Sequence, residues 1–225
     1  MLNKWLNKAE RKFGRFAIPH LMSVILVGMI VIYCFDFLMQ SNPNISEEMR
    51  MTGAVSSLFN FDLAQIKAGQ IWRVISFVFL PPSTGILFAV FAFYFIWLIG
   101  TALEAQWGSF KFNVYYLLGV IGTMIVGLAT GSATNTYLNL TLLLAFAILF
   151  PDFEVLLFFF IPVKIKWIAL LDAAGLLIVF LLGDFHTRLL LLCSVINLVI
   201  FFGKDAYDRV YYAIRRKYHQ HKNKK

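Results

Sequence analysis

Two long apolar runs joined by a short polar link constrain the fold more than any other feature of this chain. The runs cover residues 87–103 and 112–128, and the link between them carries Glu104 and Gly108. Roughly 20 apolar residues cross the hydrocarbon core of a bilayer as a helix, because lipid offers no partners for unpaired backbone groups. Two such runs with so short a link must fold back on each other as a helical hairpin.

Further apolar runs extend this interpretation to the whole chain. Hydrophobic residues make up 60% of the 225 residues and charged residues only 14%, which excludes an ordinary soluble domain. The runs lack the alternation of a membrane β-barrel, and we expect no strands. The sequence therefore predicts an all-α polytopic membrane protein. Its membrane domain covers residues 17–203, with spans at about 17–39, 86–103, 111–129, 137–150, 167–182 and 189–203.

Basic residues are concentrated at the two ends of the chain. Residues 1–16 hold five Lys or Arg and one Glu, and residues 204–225 hold eight Lys or Arg and two Asp. Because cytoplasmic segments of membrane proteins are enriched in Lys and Arg, we predict a basic amphipathic cytoplasmic N-terminus and a basic cytoplasmic tail. Both ends should attract anionic lipid headgroups. We expect no nucleic-acid partner. The bacterial cell membrane is the expected location, with the endoplasmic reticulum as the alternative.

The polar segment of residues 40–83 should lie outside, on or in the bilayer interface. Trp72 and Arg73 suit that position, since an indole favours the headgroup level and an arginine can pair with phosphate. Asp36, near the outer end of the first span, is expected to be solvated. Gly127 and Gly131 have the small-xxx-small spacing that allows helices to approach closely.

Two polar residues lie within predicted spans. Asp172 is about a turn and a half into span five, and ionisable groups at such depth raise a functional hypothesis. The alternative is that Asp172 reaches inner water or pairs with Lys164 or Lys166. Asn197 in span six is expected to form a hydrogen bond between helices. We expect neither a metal nor a cofactor, because the four histidines and two cysteines lack ligand spacing.

Two motifs carry a resemblance to a known family. Trp72-Arg73 lies in the long loop between spans one and two, and Glu104-x-x-Trp107-Gly108 ends span two. With six spans and a proline after a short fourth span, this arrangement resembles the rhomboid superfamily, which includes the derlins. The resemblance covers about residues 17–203 and implies a six-transmembrane-helix rhomboid-like bundle. It also implies that Arg73 and Glu104 tie loops and span ends together by hydrogen bonds.

The chain departs from the family at the positions that carry catalysis. Active rhomboids are intramembrane serine proteases, with Gly-x-Ser-Gly at the outer end of span four and a histidine in span six. In this chain the position of the serine falls near Thr136, without a flanking glycine, and His186 lies in the turn before span six. A hydroxyl is a poor nucleophile without a neighbouring base. The resemblance therefore implies a pseudoprotease, and we assign no catalytic residue.

Three functions follow from these observations as hypotheses. The first is a catalytically inactive rhomboid-like protein that binds transmembrane segments of client proteins in quality control, assembly or trafficking. The second is an intramembrane protease with non-standard residues, such as Thr136 with His186 as base. The third is a small-molecule or ion transporter that uses Asp172 and Asn197. The third is disfavoured because no span is interrupted by Gly or Pro at mid-depth.

Overall fold

A computed structural model describes residues 2–40, 55–157 and 161–202. Short strands β1 (Phe61–Asp62), β2 (Ser132–Ala133), β3 (Glu154–Leu157) and β4 (Ile161–Lys164) accompany the helices. The helices are α1 (Leu2–Phe13), α2 (Leu21–Gln40), α3 (Ser56–Phe59), α4 (Leu63–Lys67), α5 (Arg73–Ser76), α6 (Ile86–Trp107), α7 (Ser109–Thr130), α8 (Thr136–Leu149), α9 (Ile165–Leu182) and α10 (Phe185–Phe202). The basic tail of residues 204–225 lies outside the described residues.

Five helices in the described ranges, α2, α6, α7, α9 and α10, are long and apolar enough to cross a membrane. The prediction of an integral membrane protein built from helices is therefore confirmed. Helix α8 is shorter, with 14 residues and a length of about 21 Å. None of residues 137–150 is exposed, so this short helix lies inside the bundle, where longer neighbours surround it.

Contacts near the helix ends show that α2 and α6 run antiparallel. Glu104, near the end of α6, accepts a hydrogen bond from His20, just before α2. At the opposite end, the hydroxyl of Tyr33 in α2 donates to the carbonyl of Thr84, just before α6. We call the end formed by residues 55–85 and 131–136 the loop end. The end that carries α1, the α6–α7 turn and the β3–β4 hairpin is the base.

Helix α7 approaches its neighbours most closely at two glycines. A Cβ atom on Gly119 would lie 2.3 Å from Leu138 of α8, and one on Gly122 would lie 2.3 Å from the sulfur of Cys193 in α10. Such distances are impossible for real side chains, so α8 and α10 pack directly on the α7 backbone. These two positions, rather than Gly127 and Gly131, provide the close helix approach in the membrane.

The expectation for Gly127 and Gly131 is wrong for a local reason. Gly131 ends α7 with φ +104°, and nothing lies within 4 Å of the position of its Cβ. The residue that ends a helix in the left-handed conformation is commonly glycine, because a side chain makes that conformation less favourable. Gly127 contacts Phe61 and Ala133 of the β1–β2 pair instead of another membrane helix.

The expectation that the chain contains no strands is also wrong. Strand β1 pairs antiparallel with β2, with Phe61 opposite Ala133. Strand β3 pairs antiparallel with β4, with Glu154 opposite Lys164. Both pairs lie at the ends of helices. The segments there are too short to span the bilayer, and pairing as strands gives their backbone N–H and C=O groups hydrogen-bond partners.

Two membrane helices begin at other residues than expected. Helix α2 starts at Leu21, because Pro19 and His20, which has φ +55°, interrupt the apolar run that begins at residue 17. Helix α10 starts at Phe185, four residues before the predicted start, because Asp184 precedes it and its side chain accepts a hydrogen bond from the Thr187 amide. His186 therefore lies in the first turn of α10 instead of the preceding loop.

Helix α1 packs against the base. Leu6 is buried, and the carboxylate of Glu10 lies 3.8 Å from the ammonium of Lys111 in α7. These contacts hold a basic surface beside the α6–α7 turn. The exposed basic residues of this surface are Lys8, Arg11 and Lys12 of α1 and Arg15 of the 3₁₀ turn that follows, Gly14–Phe16.

Candidate functional site

Arg73 holds the loop end together. Its side chain is only 6% exposed. Nη1 donates to the carbonyls of Ser57 at 2.7 Å and Asn60 at 3.0 Å, while Nε donates to Oε1 of Gln70 at 2.6 Å. Burial of a cation is unfavourable unless its N–H groups have hydrogen-bond acceptors. Here Arg73 also provides donors for carbonyls at the end of α3. Nε and Nη1 are thus bound to protein groups, and pairing of Arg73 with lipid phosphate stays a prediction.

Trp72 adds a second contact between the same two segments. Its indole N–H donates to the carbonyl of Leu58 at 3.2 Å, while 52% of the residue stays exposed. The hydroxyl of Ser76, one turn further along α5, donates to the carbonyl of Phe59. Helices α3 and α5 are thus joined by side chains of α5 that bind the backbone of α3.

Asp36 joins α2 to this loop instead of facing water. The residue is 8% exposed, and its carboxylate accepts hydrogen bonds from the amides of Val55 and Ser56 and from the Ser56 hydroxyl. These donors lie at the start of α3, where unpaired N–H groups favour a carboxylate. The expectation of a solvated Asp36 is wrong because residues 55–56 fold back over the end of α2.

Asn135 joins the start of α8 to the chain after α5. Its side-chain amide donates to the carbonyls of Val78 at 3.1 Å and Leu80 at 3.0 Å. The hydroxyls of Thr134 and Thr136 lie 2.8 Å apart and form a hydrogen bond with each other. The residues on both sides of Asn135 are therefore presented on one short, fixed turn.

These contacts border a cavity of about 920 Å³ between α2, α6, α8 and residues 80–85. Its membrane-side wall is apolar, and its loop end carries hydroxyl and amide groups. The wall includes Phe95, Ile96, Ile99, Leu140 and Leu143. The polar groups include Ser83, Thr84, Thr134, Thr136 and Asn139.

Asn139 has an unusual position in this lining. Its Oδ1 atom is buried and has no hydrogen-bond partner within the described part of the chain. Among the described residues that line the cavity, Asp36 is the single acidic or basic residue, and its oxygens already accept hydrogen bonds. The cavity is therefore amphipathic, and its described lining carries no free charge. Oδ1 of Asn139 has almost no exposed surface, so it is not accessible from the cavity.

Glu104, Trp107 and Gly108 lie at the base, at the other end of α6. Oε1 of Glu104 accepts from the His20 amide and the Ser109 hydroxyl, both at 2.7 Å, while the buried Oε2 has no partner among the described residues. Gly108 has φ +83°, a conformation that favours glycine, and separates α6 from α7. The Trp107 ring lies 4.8 Å from that of Phe202. These residues fix the hairpin at the end of α6 opposite the loop end, which holds Trp72 and Arg73.

The two intramembrane polar residues have different surroundings. Lys164 and Lys166 both pair with Asp152, at 3.9 Å and 3.1 Å, so the predicted alternative in which they pair with Asp172 is wrong. Oδ2 of Asp172 is buried and has no hydrogen-bond partner among the described residues. Asn197 donates to the carbonyl of Tyr115 in α7 at 3.0 Å, which is a contact between helices.

The structure brings His186 to Ser132 rather than to Thr136. Nε2 of His186 lies 2.8 Å from the carbonyl oxygen of Ser132 and 3.3 Å from its hydroxyl. Because a carbonyl only accepts, the shorter contact requires a proton on Nε2, which then cannot accept the hydroxyl proton. His186 is therefore not placed as a base for Ser132, and within the described residues it makes no contact with Thr136.

Sequence reasoning missed Asn135 and Asn139, which shape the cavity. Asn139 could have been identified, because an amide within an apolar helix has few partners in lipid. The role of Asn135 could not have been predicted, because its hydrogen-bond partners lie more than 50 residues away in the sequence. No protein-family model matches the sequence, and no curated protein matches it.

Proposed function

We propose that this chain is a rhomboid-like, six-span membrane protein without protease activity that binds transmembrane segments of client proteins. Binding would affect the stability, assembly or trafficking of the client. In this proposal α8 is the sixth span, and both termini lie in the cytoplasm of a bacterial cell. The basic ends contact anionic lipid headgroups.

The short central helix supports this proposal. At about 21 Å, α8 is shorter than the roughly 30 Å hydrocarbon core. A bilayer adapts to a short hydrophobic element by local thinning, at a modest cost per ångström. A client helix beside α8 would then have its polar end close to the polar end of the cavity.

The amphipathic cavity is the observation that carries the proposal. It lies between α2 and α6, on the side where Phe37 and Ile86, which both line it, are exposed by 48% and 56%. In a bilayer this side faces lipid, so a partner helix can reach the cavity by lateral diffusion. Its apolar wall suits the body of such a helix, and its polar loop end suits the helix terminus.

The protease alternative has less support. Thr136 forms its hydrogen bond with Thr134, and His186 forms its bonds with Ser132. A serine-directed activity probe distinguishes the two functions. We expect no labelling above background, whereas labelling that Thr136→Ala abolishes would establish the protease.

The proposal is tested with a model transmembrane substrate in proteoliposomes, beside an active rhomboid. We expect no cleavage and co-purification of the intact substrate. Ala92→Trp fills the cavity and should lower co-purification at least fivefold. The matched control is Val90→Trp, which adds the same side chain to the exposed side of α6. Cleavage of the substrate, whether or not it survives Thr136→Ala and His186→Ala, or equal effects of the two tryptophans, would overturn the proposal.

A further inference from the structure

Helix α9 is the least enclosed of the five long helices in the described ranges. Only 17% of its residues are buried, against 28% to 44% in 18-residue stretches of the other four. The buried residues are Ile165, Ala169 and Leu176, which lie on one side because residues four and seven apart share a helix face. The rest of α9 therefore faces its surroundings, which in a bilayer are lipid or another membrane protein.

Four half-buried residues run along one border of this packed side. They are Ile168, Asp172, Gly175 and Val179, and we call them the α9 edge. Their spacing of four, three and four residues is the spacing by which one helix packs along another at a small crossing angle. Gly175 leaves the edge open, because no atom lies within 4 Å of a Cβ built there. A further helix can therefore approach the α9 backbone closely beside Asp172.

Asp172 indicates what kind of helix would cover this edge. It lies about 8 Å along α9 from Trp167, an exposed indole of the kind that marks the headgroup level. The residue is half-buried, and Oδ2 is the one of its two oxygens that is buried without a partner among the described residues. The other oxygen, Oδ1, is therefore open to the surface at the edge. Ionisable groups at such depth are costly in lipid and are almost always paired.

The described part of this chain does not bring a cation to Asp172. Lys164 and Lys166 both pair with Asp152, and the side chain of Lys166 leans towards the start of α9, away from Asp172. A second copy of the chain would not bring one either. Asp172 is the eighth residue of α9, whereas the basic residues of the long helices in the described ranges lie within four residues of a helix end: Lys111, Lys166 and Arg188. The cation must come from a different protein.

We propose that the α9 edge binds a partner transmembrane helix that carries a Lys or Arg at the depth of Asp172, with the cation paired to its carboxylate. This inference rests on the proposed function and names a class of client. The edge is separate from the cavity, whose described lining includes no residue of α9. Each charge is costly alone in lipid, so both helices gain from the contact. An apolar helix gains little, because lipid is as apolar as its own side chains.

The test uses the full-length protein in nanodiscs of phosphatidylcholine, with a photo-crosslinking amino acid in place of Leu171. Leu171 is 75% exposed and adjoins Asp172, so the crosslinker reports what covers the edge and not what enters the cavity. Three synthetic transmembrane peptides share one Leu/Ala body and carry Lys, Leu or Glu seven residues into it. We expect the Lys peptide to crosslink at least fivefold more than the Leu peptide, and the Glu peptide no more than the Leu peptide.

Two variants test whether the carboxylate at this position is responsible. Asp172→Lys should transfer the preference from the Lys peptide to the Glu peptide. The matched control exchanges two residues of α9: Asp172→Ala combined with Ala174→Asp keeps the composition and nearly the depth, but it moves the carboxylate to the exposed side of the helix. This exchange should remove the fivefold preference for the Lys peptide. Thermal unfolding of each variant shows that it is folded.

Co-purification of the peptides from the same nanodiscs separates this inference from the function on which it rests. If no peptide co-purifies or crosslinks, the proposed function fails and this inference with it. If the peptides co-purify but crosslink alike at position 171, or if the exchanged variant keeps the Lys preference, clients bind but the α9 edge does not select them. If the crosslinker captures a second copy of the chain that the Lys peptide does not displace, the edge is a self-association surface and the inference is overturned.

Discussion

The backbone amide of His20 donates a 2.7 Å hydrogen bond to Oε1 of Glu104, and this bond joins residues 84 positions apart in the chain. His20 has φ +55°, and its carbonyl accepts a hydrogen bond from the Val24 amide of the helix that follows. Glu104 accepts a second hydrogen bond, from the Ser109 hydroxyl. One buried carboxylate therefore connects the start of α2, the end of α6 and the start of α7.

The first prediction concerns Glu104. Glu104→Ala leaves the His20 amide and the Ser109 hydroxyl without their charged acceptor, and it should lower the free energy of unfolding by about 3 kcal/mol. Glu104→Gln keeps an acceptor oxygen and should cost about 1 kcal/mol. Reversible unfolding in mixed detergent micelles measures both values.

Glu10→Ala is the control for Glu104. Glu10 lies 3.8 Å from Lys111, and both side chains are partly exposed, so the variant should lose less than about 0.5 kcal/mol. If Glu104→Ala is no more harmful than Glu10→Ala, Glu104 does not hold the hairpin to α2.

The second prediction concerns the contact between α7 and α10. A Cβ on Gly122 would lie 2.3 Å from the sulfur of Cys193, so Gly122→Ala should destabilise by about 1–3 kcal/mol. Cys193→Ala removes that sulfur and should recover most of the loss in the double variant. A double-mutant cycle on the free energies of unfolding measures this coupling.

Gly175→Ala is the control for Gly122→Ala, because it makes the same substitution at a position without close neighbours. No atom lies within 4 Å of a Cβ built on Gly175 of α9. Gly175→Ala should therefore stabilise, by up to about 1 kcal/mol, because alanine favours helix more than glycine does. Equal effects at the two glycines would show that α10 does not pack directly on α7.

The third prediction concerns pH and the start of α10. Hydrogen bonds from Thr187 lower the pKa of Asp184 below its ordinary value of 3.8, with a smaller contribution from the charge of His186. A carboxyl whose pKa is lowered by folding stabilises the fold above its unfolded value and loses that effect as the pH falls through the folded value. Wild type should unfold at a higher temperature than Asp184→Ala at pH 6. This difference in unfolding temperature should shrink below about pH 4. A difference that is constant with pH would show that the ionised Asp184 carboxylate does not stabilise the start of α10.

Much of the fold could be predicted, because lipid leaves the backbone few alternatives. The apolar runs identified the helices, but their ends depend on single residues. Helix α6 continues past the predicted end at 103 as far as Trp107, because Gly108 is the residue that can adopt φ +83°. The strands could not be predicted, since β3 is a short apolar run whose conformation depends on pairing with β4.

The candidate site was less predictable than the fold. Its cavity exists because Asp36 binds Ser56 and Asn135 binds the carbonyls of Val78 and Leu80. These bonds join segments that are 20 or more residues apart, and no local pattern specifies them. The motif residues Arg73 and Glu104 were identified from the sequence, but they lie at opposite ends of α6.

The fourth prediction concerns hydrolysis. Because His186 is not placed as a base for either Ser132 or Thr136, the purified protein should react with a serine-directed fluorophosphonate at the rate of the denatured chain. His186→Gln should leave that rate unchanged and should loosen the turn that His186 holds through Ser132. Hydrogen exchange of residues 131–135 measures the second effect. Fast labelling that His186→Gln abolishes would show a catalytic pair.

The fifth prediction connects the loop end to client binding. Arg73→Ala removes the donor that binds the carbonyls of Ser57 and Asn60, and should destabilise by about 3 kcal/mol and lower client crosslinking at least fivefold. Arg73→Lys should lose about 2 kcal/mol, since one ammonium cannot replace the fork that binds three acceptors. Trp72→Phe, which removes only one hydrogen bond at an exposed ring, is the control and should cost less than about 1 kcal/mol. Unfolding and crosslinking are measured on the same preparations at a temperature where every variant is folded. If Arg73→Ala is destabilised but crosslinks like wild type, the loop end has no part in client binding.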